Sequence, residues 1–193
     1  MKIKTLVITL FIFSFIHMNI TARILNDREW LTKTYLASLE GTILFVGVNY
    51  YNADYHTYVK TPETYETIDT IPERSQFGSP YKHHTGDFLT FDPGYKYDHI
   101  CLFGIMGHYG ENSKNQFYNI DTENSITQAL EHATKLLKIG GTLQVGPNKL
   151  SVPQFNTAYW RARFRKYPLD KYSVISNELG ACNMLWWGKK IRD

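Results

Sequence analysis

Cysteine is scarce in this chain. Two in 193 residues exclude a disulfide-stapled miniprotein and any four-cysteine zinc site. Glycine and proline, 13 and 7, recur without a period, which excludes collagen-like and low-complexity architectures. An excess of one charge is missing too. The formal net charge of +3 is too small to point to a polyanion partner by itself. What the chain does carry is apolar material: 43% hydrophobic and 15% aromatic residues against 20% charged. That composition can bury a core, and global disorder is not expected. A mass of 22.5 kDa fits one domain better than two.

The first 22 residues differ from the rest. Lys2 and Lys4 precede an eleven-residue apolar run, Leu6 to Ile16, and Asn19-Ile20-Thr21-Ala22 follows. A basic start, a run of that length and a small residue at Ala22 resemble a cleavable secretory signal. The run is shorter than the roughly 20 residues a membrane-spanning helix needs. Counted on to Ile20, it reads instead as a retained signal-anchor; a buried strand or helix is the third reading. Orientation as an anchor stays open, because Arg23, Arg28 and Lys33 match Lys2 and Lys4 on the other flank. The expected division is 1–22 as signal peptide or membrane anchor and 23–193 as one domain, in the secretory pathway, secreted or membrane-anchored. Without residues 1–22 the chain has 171 residues, with 19 basic against 18 acidic side chains. Nucleic-acid binding loses its main support there, and no nucleic-acid partner is expected.

Along residues 23–193 the patterns alternate. Asn26 to Glu40 reads as a helix, with Leu31, Tyr35 and Leu39 on one face and Gly41 as its stop. Thr42 to Val48 is a continuous β-branched and aromatic run, as in strands buried on both faces. Further strands are expected at Thr64 to Thr70, His83 to Phe91 and Tyr97 to Gly104. Ser125 to Lys138 reads as a helix: Ser125 and Gln128 fit a capping box, and Ile126, Ala129, Leu130, Ala133, Leu136 and Leu137 form its apolar face. Gly140-Gly141 is expected to end it, before a strand from Thr142 to Val145. A helix near Asn156 to Lys166 and strands at Tyr172 to Ser176 and Asn183 to Lys190 complete the pattern. Alternating strands and helices predict an α/β fold with a mostly parallel, Rossmann-like sheet of about seven strands, helices on both faces. The short Glu178 to Cys182 connection predicts an antiparallel hairpin at the C-terminus.

Four local patterns carry a resemblance. Ile43-Leu44-Phe45-Val46-Gly47-Val48-Asn49 is a strand running into a glycine. Asp69 ends the next strand, 22 residues after Gly47, where an acid can accept ribose hydroxyls. Gly86-Asp87-Phe88 lies in the third expected strand, His83 to Phe91, with Gly86-Asp87 in its middle. Leu136 to Leu143 is a helix, a Gly-Gly pair and a strand. In this order, with the closing hairpin, they resemble the class I S-adenosylmethionine-dependent methyltransferases over about residues 25–192, which makes 23–193 a methyltransferase-like domain. The resemblance implies S-adenosyl-L-methionine as cofactor. It implies that Gly47, Val48 and Asn49 approach its methionine part and that Asp69 and Thr70 hold its ribose. Asp87 would bind the adenine amino group, Phe88 would pack on the ring, and Phe103 and Gly104 would line the site. The pattern departs from the family at Phe45, which stands where an acid is usual, and at Asn49 and Tyr51, which stand where later glycines fall.

Methyl transfer from a sulfonium needs alignment more than acid–base work, and a base helps when the acceptor is a hydroxyl or an acid. The glycine-rich stretch Phe103 to Gly110 presents His108 and Tyr109 as the candidate catalytic pair. The family's Asn-Pro-Pro-Tyr pattern is absent, which argues against nucleobase N-methylation. Tyr50, Tyr51, Tyr55, His56 and Tyr58 either line an acceptor cavity or cover the sheet. Trp160, Arg161, Arg163, Arg165, Lys166 and Tyr167 form either a solvated helix face or a surface for an anionic acceptor or lipid headgroup. His83 and His84 point to opposite faces of a strand, and no metal site is expected. Cys101 and Cys182 fall on strands not adjacent in the family's order, so no disulfide is expected.

The expected function is therefore methyl transfer to a small-molecule or glycan-like acceptor, with membrane association through residues 1–22. The alternative is a methyltransferase-like binding or scaffold domain without activity. The departures at Phe45, Asn49 and Tyr51 favour it, as does a secretory segment on a protein whose cofactor is made in the cytosol. An NAD-dependent oxidoreductase fits less well, because the glycine pattern is poorer for a pyrophosphate.

Overall fold

The computed structural model describes residues 32–48, 52–102, 123–146, 157–175 and 185–193. The segment 1–22, its expected role as signal or anchor included, lies outside the described residues. Among the described residues no helix is long and apolar enough to cross a membrane.

The elements run α1 (residues 32–37), β1 (Ile43–Val46), β2 (Tyr65–Asp69), β3 (Lys82–Thr85), β4 (Tyr97–Leu102), α2 (Glu123–Leu136), β5 (Leu137–Val145), α3 (Thr157–Lys166), β6 (Leu169–Ile175) and β7 (Leu185–Lys190). The seven strands form one sheet in the order β3-β2-β1-β4-β5-β7-β6. The pairs β1–β2, β2–β3, β1–β4 and β4–β5 are parallel. β7 is antiparallel to both β5 and β6, so the C-terminal hairpin is present and its last strand is inserted beside β5. All four residues of β1 and all five of β2 are buried, as expected of parallel strands covered on both faces.

Two apolar layers cover the sheet. On one side Ile126, Ala129, Leu130 and Ala133 of α2, with Phe164 and Tyr167, pack on Leu44, Val46, Ile68, Ile100 and Leu102. On the other, Tyr35, Leu36 and Leu39 pack with Tyr55 and Val59 on Ile43, Phe45, Tyr65 and Cys101. Phe45, which stands where the family has an acid, is fully buried there, with its ring edge-to-face on Tyr55 at 5.7 Å.

Several element boundaries differ from the sequence expectation. The first helix ends at residue 37 and not at Glu40, because Ser38 and Leu39 close it with i→i−3 bonds to the carbonyls of Tyr35 and Leu36 at 3.0 and 3.1 Å. The third strand stops at Thr85, so Gly86-Asp87 follows it. Asp87 Oδ1 accepts the Leu89 N–H at 2.8 Å and caps a 3₁₀ turn over Phe88–Thr90. That local bond competes with the ladder and wins.

α2 starts at Glu123, which places Ser125 inside its first turn and not at the cap. It passes directly into β5 at Leu137, and Gly140-Gly141 lies within that strand. There the register jumps between Tyr97↔Leu137 and His99↔Thr142. Gly140, at φ 86°, supplies the left-handed turn that a residue with a Cβ rarely adopts. The helix end is closed from elsewhere: buried Lys190 donates to the carbonyls of Thr134 at 2.9 Å and Leu137 at 3.0 Å. A cation there satisfies orphan carbonyls at the negative end of the dipole.

Candidate functional site

The sheet order reverses between β1 and β4, and open α/β sheets bind ligands beyond the carboxyl ends of the strands at such a point. Gly47, at φ 82°, turns the chain away from β1 in a conformation that glycine adopts without strain. Its N–H donates to the Ile68 carbonyl at 2.8 Å, and the Gly86 N–H donates to the Asp69 carbonyl at 2.9 Å. These two bonds join the ends of β1, β2 and β3. Gly47, Val48, Asp69, Thr70, Gly86 and Asp87 therefore share one rim.

Asp69 is the centre of that rim. Its side chain is 5% exposed. Oδ2 accepts the Val48 N–H at 2.9 Å and Arg74 Nη1 at 3.3 Å, and Oδ1 accepts the Ile71 N–H at 2.9 Å. Ile71 and Arg74 belong to the turn that follows β2, a 3₁₀ helix over Pro72–Phe77. A carboxylate has about four acceptor positions, so one remains, on Oδ1.

Gly86 has no steric reason to be glycine. Its φ is not left-handed, and among the described residues a Cβ built there meets nothing within 4 Å. Gly78 is the opposite case: its Cβ would fall inside contact with His83 Nδ1 and 2.8 Å from Thr67 Oγ1. The open space beside Gly86, between two aspartates, fits a close approach by a ligand. Asp87 is half-buried, with Oδ1 engaged by Leu89. The Phe88 ring is 3% exposed and sits edge-to-face on His132 at 5.2 Å. Its side chain belongs to the core beside α2, while its backbone stays at the rim.

Asn49, Phe103, Gly104, His108 and Tyr109, with Tyr50, Tyr51 and Cys182, lie outside the described residues. Tyr55 is buried against the sheet and Tyr58 packs on the same cluster; these two cover the sheet. On α3, Arg165 and Lys166 are exposed, and Tyr167, just past its end, is buried. Burial of Arg163 holds its guanidinium below the usual arginine range. Cys101 is free and fully buried, and burial raises its thiol well above the usual range. Among the described residues no cluster of side chains could hold a metal ion. The neighbouring His83 and His84 face different partners, Thr67 Oγ1 at 2.8 Å and Glu66 Oε2 at 2.9 Å.

Glu66 is a polar centre that the sequence pattern did not single out. Its carboxylate accepts from Tyr95 and Tyr97 hydroxyls at 2.7 and 2.8 Å and pairs with Lys82 at 3.2 Å. Burial opposes its charge, but the His84, Tyr95, Tyr97 and Lys82 donors outweigh it and hold the carboxyl below the usual range. It lies three residues before Asp69 on β2, away from the rim, and it ties β2, β3 and β4 together.

No protein-family model matches the chain, and no curated protein matches it in sequence. Solved structures do match in fold. The N-methyltransferase NodS from Bradyrhizobium japonicum is 13% identical, with a TM-score of 0.58, covering 86% of this chain and 98% of its own. Its complex with S-adenosyl-L-homocysteine matches with a TM-score of 0.54 at 13% identity, covering 84% of each chain. CalS10, an amino pentose methyltransferase from Micromonospora echinaspora solved with S-adenosylmethionine bound, is 14% identical, with a TM-score of 0.60, covering 86% of this chain and 91% of its own. The chain has the fold of the class I S-adenosylmethionine-dependent methyltransferases.

Proposed function

We propose that the protein binds S-adenosyl-L-methionine at the rim of β1, β2 and β3 and transfers its methyl group to a small-molecule or glycan-like acceptor. The observation that carries this reading is Asp69. It is a buried carboxylate at the end of β2, bonded to the backbone at the end of β1, with one acceptor position left and open space beside Gly86. A ribose hydroxyl suits that position, as an acid at the end of the second strand does in dinucleotide folds. Asp87 would accept from the adenine amino group, and the backbone from Gly47 to Asn49 would meet the methionine part. When bound, the cofactor supplies a methyl group already activated on a positively charged sulfur. The chain then has to align an acceptor with it and exclude water. His108 and Tyr109 are our candidates for holding the acceptor and taking its proton.

CalS10, an amino pentose methyltransferase, supports an acceptor of small-molecule size. Residues 1–22 are read as a signal or anchor on the basic start and apolar run alone. The test is calorimetric titration of the purified full chain with S-adenosylmethionine and S-adenosylhomocysteine. Micromolar binding supports the reading. No heat and no thermal shift at millimolar ligand overturns it.

A further inference from the structure

Asp69 has more partners than a carboxylate kept for a vicinal diol would carry. Val48 N–H and Arg74 Nη1 occupy Oδ2, and Ile71 N–H occupies one position on Oδ1. With about four positions in all, the carboxylate can accept from one hydroxyl, not from two. The two backbone donors are held by the fold, at the end of β1 and in the turn after β2. Arg74 is the partner that differs. It is a side chain, 27% exposed against 5% for Asp69, and it reaches the carboxylate from the 3₁₀ turn over Pro72–Phe77.

Each hydroxyl of a diol both donates and accepts, and a guanidinium only donates. We propose that Arg74 is a specificity residue of the cofactor site. Asp69 accepts from one ribose hydroxyl, Arg74 donates to the oxygen of the other, and the ion pair together reads an intact 2′,3′-diol. The proposal rests on the cofactor reading above. It adds a residue that the acid-at-strand-end pattern does not contain. It also turns the Arg74–Asp69 ion pair, which a purely structural account would leave as a surface contact, into part of the recognition.

The experiment is a cycle of ligands against variants, read by calorimetry on the purified full chain. The ligands are S-adenosylhomocysteine and its 2′-deoxy and 3′-deoxy forms; the variants are wild type and Arg74→Met. The wild type is expected to bind each deoxy form roughly tenfold more weakly than the parent, the scale of one charge-assisted hydrogen bond. In Arg74→Met the preference over one deoxy form disappears and the preference over the other, set by Asp69, remains. Equal weakening of all three ligands is what a merely positional role for Arg74 predicts, and it overturns the proposal while leaving the cofactor reading intact. Absence of binding to the wild type overturns both. Should Arg74→Met lower the thermal midpoint, Arg74→Lys keeps the charge beside Asp69 but loses the planar fork, and the same ratios decide.

Discussion

The backbone N–H of Val48, at the end of β1, donates to Oδ2 of Asp69, at the end of β2, at 2.9 Å. The same side chain holds the Ile71 N–H, so it ties together the two segments that line the candidate site. Asp69→Ala leaves both donors without their acceptor. Each buried unsatisfied group costs about 1–3 kcal/mol. Urea unfolding is expected to show a loss of about 2–6 kcal/mol by that scale, and titration is expected to show no S-adenosylhomocysteine binding. Undiminished binding to a folded Asp69→Ala protein removes Asp69 from the site.

Gly86 and Gly78 separate a ligand requirement from a folding requirement. Gly86→Ala adds a Cβ into space with no described residue within 4 Å, so the thermal midpoint is expected to stay near wild type. Adenosyl-ligand affinity is expected to fall by roughly tenfold or more, the scale of a lost polar contact. Gly78→Ala drives a Cβ into His83 and Thr67, and its expected signature is a lower midpoint. Equal midpoints for the two variants contradict this account.

Lys190 is a buried cation that ends a helix. It lies 2% exposed and donates to the carbonyls of Thr134 and Leu137 and to Asp193 Oδ1. Lys190→Met keeps the length of the side chain and removes all three bonds. A loss of about 2 kcal/mol is expected from the orphaned carbonyls. Denaturant midpoints with an unchanged m-value check it, and Lys190→Arg should recover little, because a planar fork does not match two carbonyls and a carboxylate from one atom.

His99 makes stability depend on pH. Its Nδ1 meets Thr142 Oγ1 at 2.7 Å and its Nε2 meets the Glu40 carbonyl at 2.9 Å; Tyr35 OH meets the same threonine at 3.0 Å. The carbonyl can only accept, so Nε2 carries the proton and Nδ1 accepts from Thr142. Burial lowers the His99 pKa from its usual 6.5, and burial does the same at His83. The unfolded chain therefore takes up protons first as pH falls. The contribution is fully present above pH 6.5 and is lost as pH drops through the depressed folded values. Asp98, with the opposite charge, acts in a lower window. Burial opposes its ionisation, but Lys138 and Thr42 hold its carboxyl below 3.8, so its contribution is lost only in stronger acid. Urea unfolding between pH 7.5 and 5 should show a steeper loss in wild type than in His99→Gln.

Much of the sheet is readable along the chain because its signals are local. Ile43–Val46 and Ile100–Leu102 are apolar runs with no polar alternation, and such runs stay dry only between two covered faces. The apolar face of α2 repeats at helical spacing and packs as that spacing implies. Asp69 and Gly47 are legible for the same reason, since a strand end, a glycine and an acid at a set separation need no knowledge of the fold. The third strand is where local reading fails: His83 to Phe91 has strand-forming residues on both sides of Gly86-Asp87, but Asp87 caps a 3₁₀ turn and the ladder ends at Thr85.

The partners of the site residues are of another kind. That Asp69 reaches Val48 across 21 positions and that Lys190 closes a helix ending at Leu136 from 56 positions away follow from distant chain segments meeting. The bonds of Asp69 to Ile71 and Arg74 span only two and five positions, and the space beside Gly86 is one that no described residue fills. Composition and periodicity decided that the chain makes a covered, mostly parallel α/β sheet, since burial and backbone propensity act over a few neighbouring residues. Which carboxylate has an acceptor position left was decided by the turn that Asp69 itself holds, through Ile71 and Arg74, together with the meeting of the distant ends of β1 and β2, and that meeting is a matter of packing that no local pattern encodes.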